Sequence, residues 1–163
     1  MNKRRIERMI PLAVEVLRNE KLDSPDEKLK IMENDVIKPA WRGQLASFGA
    51  TVATGGLLAA AAFFDKQGNA ELDRAELSKA IYRVMKKHRS EQGQNTLPKA
   101  NLNLLDFVLD TFVKRPSDKQ GLKEEVLDAA TALKLAMNLF IPKPENADAA
   151  ESQVVAKDGE KTV

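Results

Sequence analysis

The chain has 163 residues, one histidine and no cysteine, which suits a single domain with its own core and excludes disulfides, thiolate metal sites and cysteine nucleophiles. Lys and Arg number 26 against 24 Asp and Glu; three lysines and five acids follow Ile141, so the body keeps 23 basic and 19 acidic residues, a mild +4 that permits a nucleic-acid partner without requiring one. Aromatic residues are sparse and Ala, Leu, Lys and Glu dominate, a composition that favours helices over sheets.

The basic opening MNKRR is like the start of a signal peptide. Glu7 and Glu15 interrupt the apolar stretch behind it and no small-residue cleavage site follows, so a cytoplasmic address is expected. Ile6, Met9, Ile10, Ala13, Val14 and Leu17 fall at helical spacing and predict a first amphipathic helix. Pro11 lacks an amide proton, so a kink or a late start is expected there. Ser24-Pro25-Asp26-Glu27 has the pattern of a capping box and predicts a short helix to about Met32.

Pro39 opens the central element. From Leu45 to Phe64 run 20 residues without a charge, LASFGATVATGGLLAAAAFF. That length could span a membrane. Small residues fill most of it, however, and Lys38 and Arg42 on one side against Asp65 and Lys66 on the other give no orientation bias. A buried helical pair, bent or broken at Gly55-Gly56 and packed closely by its neighbours, is the expectation.

Asp65–Glu76 lies between helices and looks like a calcium loop, with Asp65, Asn69, Asp73 and Glu76 near ligand positions. Gln67 stands where an acid is usual, and Ala70 where the sharp turn needs glycine. A plain helix–loop–helix with Asp73 as N-cap explains the same residues. The next helix carries Leu77, Ile81, Val84, Met85 and His88 on one face, to about Ser90. Pro98 opens a helix through Phe112, and a last helix with Leu122, Val126, Leu127, Ala130, Leu133, Met137 and Phe140 inward runs to about Phe140. Pro142 and Pro144 stop it. The expected organisation is one helical domain over 1–141, an all-α bundle of five to six helices around the small-residue segment, with a flexible tail over 142–163.

Lys79, Arg83, Lys86 and Lys87 form a stripe opposite that apolar face. A charge run is commonly only a solvated face. Like charges one turn apart nevertheless repel by roughly 0.2–0.5 kcal/mol per pair, and only Glu76 lies nearby in sequence to offset them. The stripe therefore points mildly to a phosphate partner. Lys3, Arg4, Arg5 and Arg8 crowd the start of a helix, where positive charge opposes the dipole, and point weakly the same way. No aromatic RNA platform accompanies either cluster. His88 sits on an apolar helix face, which reads as core or boundary rather than catalysis. Asp106 and Asp110, one turn apart, are a commonplace pair. No phosphate-binding glycine loop, nucleophile elbow or metal-ligand set occurs, so no enzyme, cofactor or metal is expected.

Trp41–Ala50 reads WRGQLASFGA, and Gly55–Phe64 reads GGLLAAAAFF. An aromatic residue ahead of an SFGA stretch, then a GLL…AFF stretch ending in a polar loop, resembles the signature of the small subunit of the type III-B CRISPR-Cas effector complex, the Cmr or RAMP-module complex. The resemblance extends over about residues 3–141 and is specific within 41–64. It implies a non-catalytic helical subunit in antiviral defence, stacked head to tail with copies of itself along the inner side of a filament. It implies contacts with guide and target RNA, with the backbone subunit and with the large signalling subunit, and no membrane. Arg42 beside the signature, with Lys79, Arg83, Lys86 and Lys87, are then the RNA-facing candidates, and Arg5 and Arg8 join them from the first helix. The alternative is a helical protein–protein adaptor, in its most specific form a degenerate EF-hand-like calcium binder.

Overall fold

Asn2 begins the first helix by accepting the amide proton of Arg5 on its side-chain oxygen at 3.1 Å. This computed structural model describes residues 1–22, 24–66, 72–94 and 103–142. Helix α1 (Lys3–Leu17) buries Ile6, Met9, Leu12, Ala13, Val16 and Leu17, one face at helical spacing. It passes through Pro11 with no late start; Pro11 and Glu7 are both exposed, so the carbonyl that the proline leaves unbonded lies on the wet side.

The helix predicted from Ser24 to Met32 does not form. Ser24 caps a single 3-10 turn, Pro25–Glu27, its hydroxyl accepting from Asp26 N at 3.4 Å. A two-stranded hairpin follows, β1 (Met32–Glu33) and β2 (Val36–Ile37), in antiparallel register Met32 to Ile37 and Glu33 to Val36. Asn34 and Asp35 between them both have positive φ, 52° and 59°, the conformation of a type I′ hairpin turn that these two residue types tolerate. Leu29, Ile31 and Ile37 are buried one at a time against the bundle, an extended pattern rather than a helical one, and Ile37 N donates to the carbonyl of Phe140 at 3.1 Å.

Helix α2 (Pro39–Gly55) and helix α3 (Leu57–Asp65) are the two halves of the uncharged segment. The break is at Gly56, whose φ of 85° and ψ of 167° belong to a region nearly reserved for glycine. Trp41, Leu45, Phe48 and Val52 face the core from α2, and Leu57, Ala60, Ala61 and Phe64 from α3. Burial of α2 is one-sided. Arg42, Ala46, Ser47, Ala50 and Thr54 lie in solvent, where Thr51 and Thr54 return their hydroxyls to the carbonyls of Ser47 and Ala50. Among the described residues no helix is long and apolar enough to cross a membrane.

Asp73 caps helix α4 (Arg74–Glu91) through the amide of Ala75 at 3.0 Å, as expected. Helix α5 (Leu104–Lys114) starts at Asn103, whose side chain accepts from Asp106 N; a start at Pro98 falls on residues outside those described. Helix α6 (Lys119–Met137) ends three residues before the expected Phe140. It is packed by α1, α4 and α2, and even Asp128 on it has no solvent exposure. The described residues thus form an all-α bundle of six helices sharing one core. Of the predicted tail, only Pro142 lies among them.

Candidate nucleic-acid interface

The loop between α1 and β1 builds one wall of a groove, and the basic stripe of α4 builds the other. Asn19, at φ 54°, turns the chain out of α1. Its side-chain amide then pairs in both directions with Leu29, accepting from Leu29 N at 2.6 Å and donating to Leu29 O at 3.1 Å. One residue on, Lys30 N donates to Glu76 Oε2 on α4 at 2.7 Å. These bonds hold residues 20–22 and 24–28 in front of α4 and leave a groove of about 450 Å³. Six cations line it among the described residues: Lys79, Arg83, Lys86 and Lys87 from α4, Lys21 and Lys28 from the facing loop. Three carboxylates, Glu20, Asp26 and Glu27, share it with them.

The four α4 cations therefore come together, as the sequence pattern requires, but in a groove and not on an open face. Their charge is also compensated more than sequence neighbours suggested. Lys79 pairs with Glu76 at 3.1 Å. Lys87 pairs with Glu15 of α1 at 3.3 Å, a partner 72 residues away. The Lys21 ammonium, 3.0 Å from Glu15, holds that carboxyl below its ordinary range, with Lys87 acting in the same sense; Glu15 in turn raises Lys21.

Tyr82 is the groove residue that sequence reasoning missed. It is the only tyrosine, placed between Lys79 and Arg83, and that position at the edge of the apolar face was the available signal. Its ring packs on Phe107 at 5.7 Å. Tyr82 is among the residues that line the groove, and its hydroxyl is sealed from solvent with no hydrogen-bond partner among the described residues. Burial raises its pKa, so the hydroxyl keeps its proton and remains a donor. A buried donor without an acceptor costs roughly 1–3 kcal/mol.

The other candidates lie elsewhere. Arg42 is exposed near the start of α2 and does not line the groove. Arg5 is committed to the fold, its Nε 2.7 Å from a carboxylate oxygen of the fully buried Asp128. Arg8 is exposed on α1 and lines a second concavity with Arg4 and His88. Two buried acids of α6, Glu125 and Asp128, were not singled out from sequence, yet they anchor Arg89 and Arg5. Asp106 is exposed, and Asp110 pairs with Lys114 at 2.7 Å. The centre of the calcium-like loop, 67–71, lies outside the described residues. Glu76 at its far end already receives Lys30 N–H and Lys79 on its two oxygens, so it is engaged in the fold.

His88 is buried, as its place on the apolar face predicts. Burial is the main cause of its lowered pKa, and Arg5 and Arg8 add to it against Glu125 and Glu91. The unfolded chain then binds the His88 proton at a higher pH than the folded one. Stability from the neutral buried imidazole is full above the ordinary value of about 6.5 and is lost as pH falls from there through the folded value. Chemical denaturation between pH 7.5 and 5 should show this loss, and His88→Gln should flatten the profile in that window. An equal slope in the variant would assign the loss to other groups.

No family model, curated protein or solved structure matches the chain.

Proposed function

We propose that this protein is a non-catalytic structural subunit that binds the RNA backbone, working within an RNA-guided assembly as the small subunit of type III-B CRISPR effectors does. The observation that carries this reading is the groove in which six cations converge. The Trp41–Phe64 resemblance supplies the context: guide and target RNA in the groove, and backbone subunit, large subunit and neighbouring copies around it. Arg42, on a different face, would meet a second stretch of RNA or a neighbouring subunit.

Fluorescence anisotropy with a labelled single-stranded RNA at several salt concentrations tests the proposal. Reversing Lys79, Arg83, Lys86 and Lys87 to Glu should weaken binding at least about tenfold at fixed low salt. It should also make the salt dependence shallower by about 0.7 per lost phosphate contact. The same four positions changed to Gln should give a smaller loss in the same direction, with the helical circular dichroism retained. Unaltered affinity and slope in both sets would reduce the stripe to a solvated groove wall. The alternative, a protein–protein adaptor, draws support from Leu109 and Val113, exposed one turn apart on α5. It predicts no salt-dependent RNA affinity at all.

A further inference from the structure

The first turns of α1 and the end of α4 enclose a second concavity of about 420 Å³, whose lining shares no residue with the α4 groove. Arg4, Arg5 and Arg8 enter it from α1, His88 and Arg89 from α4, and Glu125 from α6. Two of the arginines already have partners. Arg5 is held by Asp128, and Arg89 places Nε 2.7 Å from Glu125 with a second, short contact from its terminal nitrogen. Arg4 and Arg8 differ: both are exposed, and no ion pair reaches either among the described residues. They stand one turn apart near the positive end of α1, so they oppose each other and the helix dipole together.

His88 adds an independent observation. It is 8% exposed, lines this concavity, and none of the hydrogen bonds among the described residues reaches its imidazole. Its nitrogens are not among the side-chain atoms sealed from solvent without a partner, so the imidazole keeps a polar edge that a ligand can reach. Two cations without an ion pair and an imidazole without a hydrogen bond, among the described residues, thus line the same space.

We propose that this concavity is a phosphate-binding site, in which Arg4 and Arg8 pair with the phosphate oxygens and His88 donates a hydrogen bond to them. The charged groups around His88 are Arg5 and Arg8 with Arg4 on α1, Glu125 on α6, and Arg89 and Glu91 on its own helix. Arg5 and Arg8 disfavour a proton on the imidazole, and Glu125, which favours one, is paired with Arg89. A bound phosphate brings negative charge beside His88 and favours the imidazolium. By linkage, a phosphate of fixed charge binds the imidazolium form more tightly than the neutral form and so raises the His88 midpoint.

His88 is the only histidine, so its imidazole C–H resonance in a proton NMR spectrum of the full chain is unambiguous. The probe is inorganic phosphate, titrated against chloride at equal ionic strength. Saturating phosphate should raise the His88 midpoint by about 1 in pH, and Arg4→Gln with Arg8→Gln should abolish the rise. Both positions are exposed, so the doubly substituted chain should keep its fold and its Tm in chloride. The same midpoint in phosphate and in chloride would overturn the proposal, as would a rise that survives in the double variant. Short oligoribonucleotides with and without a 5′-phosphate separate the sources. A rise with both identifies a backbone phosphodiester, a rise only with the 5′-phosphorylated strand identifies a terminal monoester, and a rise with inorganic phosphate alone identifies a small phosphorylated ligand. The site does not depend on the reading of the α4 groove, because reversing Lys79, Arg83, Lys86 and Lys87 leaves its lining untouched.

Discussion

Phe64→Ala should remove about 3–5 kcal/mol of stability, measured by urea unfolding. Phe64 is fully buried near the end of α3 and meets Phe48 of α2 edge-on, with ring centroids 5.1 Å apart. Helix α3 has nine residues, and Ala59 to Ala62 make up its middle. Alanines bring the backbones close but fill little volume, so Phe64 and Leu57 are the large anchors of the helix at its two ends. Side chains this short cannot move in to fill the space left by a missing ring. The loss is then the transfer free energy of the ring together with the unrelaxed cavity. Phe63 is the internal control: it is 46% exposed, its ring under the Arg74 guanidinium at 4.5 Å. Phe63→Ala should cost well under half as much. Equal losses at the two positions would show that α3 is not anchored through Phe64.

Asp128→Ala should cost about 3 kcal/mol, the lower end of what breaking a buried ion pair costs. Both carboxylate oxygens of Asp128 accept from Asn2 N, at 3.1 and 3.2 Å, and one also accepts from Arg5 Nε at 2.7 Å. Removing the carboxylate leaves a backbone amide and a guanidinium without acceptors at the junction of α1 and α6. The Arg5 side chain keeps 23% of its surface in water, so it recovers part of its hydration, which places the cost at the lower end. Arg5→Ala combined with Asp128→Ala should cost less than the two separate losses added together, by at least about 1 kcal/mol. Additive losses would mean that the two side chains act independently and that Arg5 is available for other partners.

The same pair explains why the basic residues of α1 were only partly legible. From sequence, Lys3, Arg4, Arg5 and Arg8 are one cluster. In the fold, the acid at position 128 selects Arg5 for the core and leaves Arg4 and Arg8 outside. Glu15 likewise reaches Lys87 across the α1–α4 contact. Such choices depend on which helices touch, and a charge pattern along one helix carries no record of its partner across the bundle.

The uncharged stretch from Leu45 to Phe64 shows where local chemistry was sufficient. Pro39 suits the first helical position, the spacing of Trp41, Leu45, Phe48 and Val52 defines a buried face, and Gly56 permits the positive φ that divides the segment in two. Asp73 as a cap and His88 on a buried face follow from sequence for the same reason: each depends on neighbours within one or two turns.

The segment 24–37 shows the opposite. Its Ser-Pro-Asp-Glu cap is present and starts only one turn, because a helix is stable when further turns add buried contacts to a costly nucleus. Here Leu29, Ile31 and Ile37 reach the core only if the chain runs extended, and Asn19, Glu76 and Phe140 supply the backbone partners. The sequence by itself thus determined the apolar faces of the main helices, the Asp73 cap, a break within Gly55-Gly56 and the basic stripe of α4, since all of these rest on contacts within a few residues. Tertiary structure alone decided that the loop after α1 would close over the basic stripe to make a groove, and which arginines would be buried in ion pairs. Those outcomes rest on pairings such as Arg89 with Glu125, Lys30 with Glu76 and Asn2 with Asp128, which are 36, 46 and 126 positions apart and which no local pattern encodes.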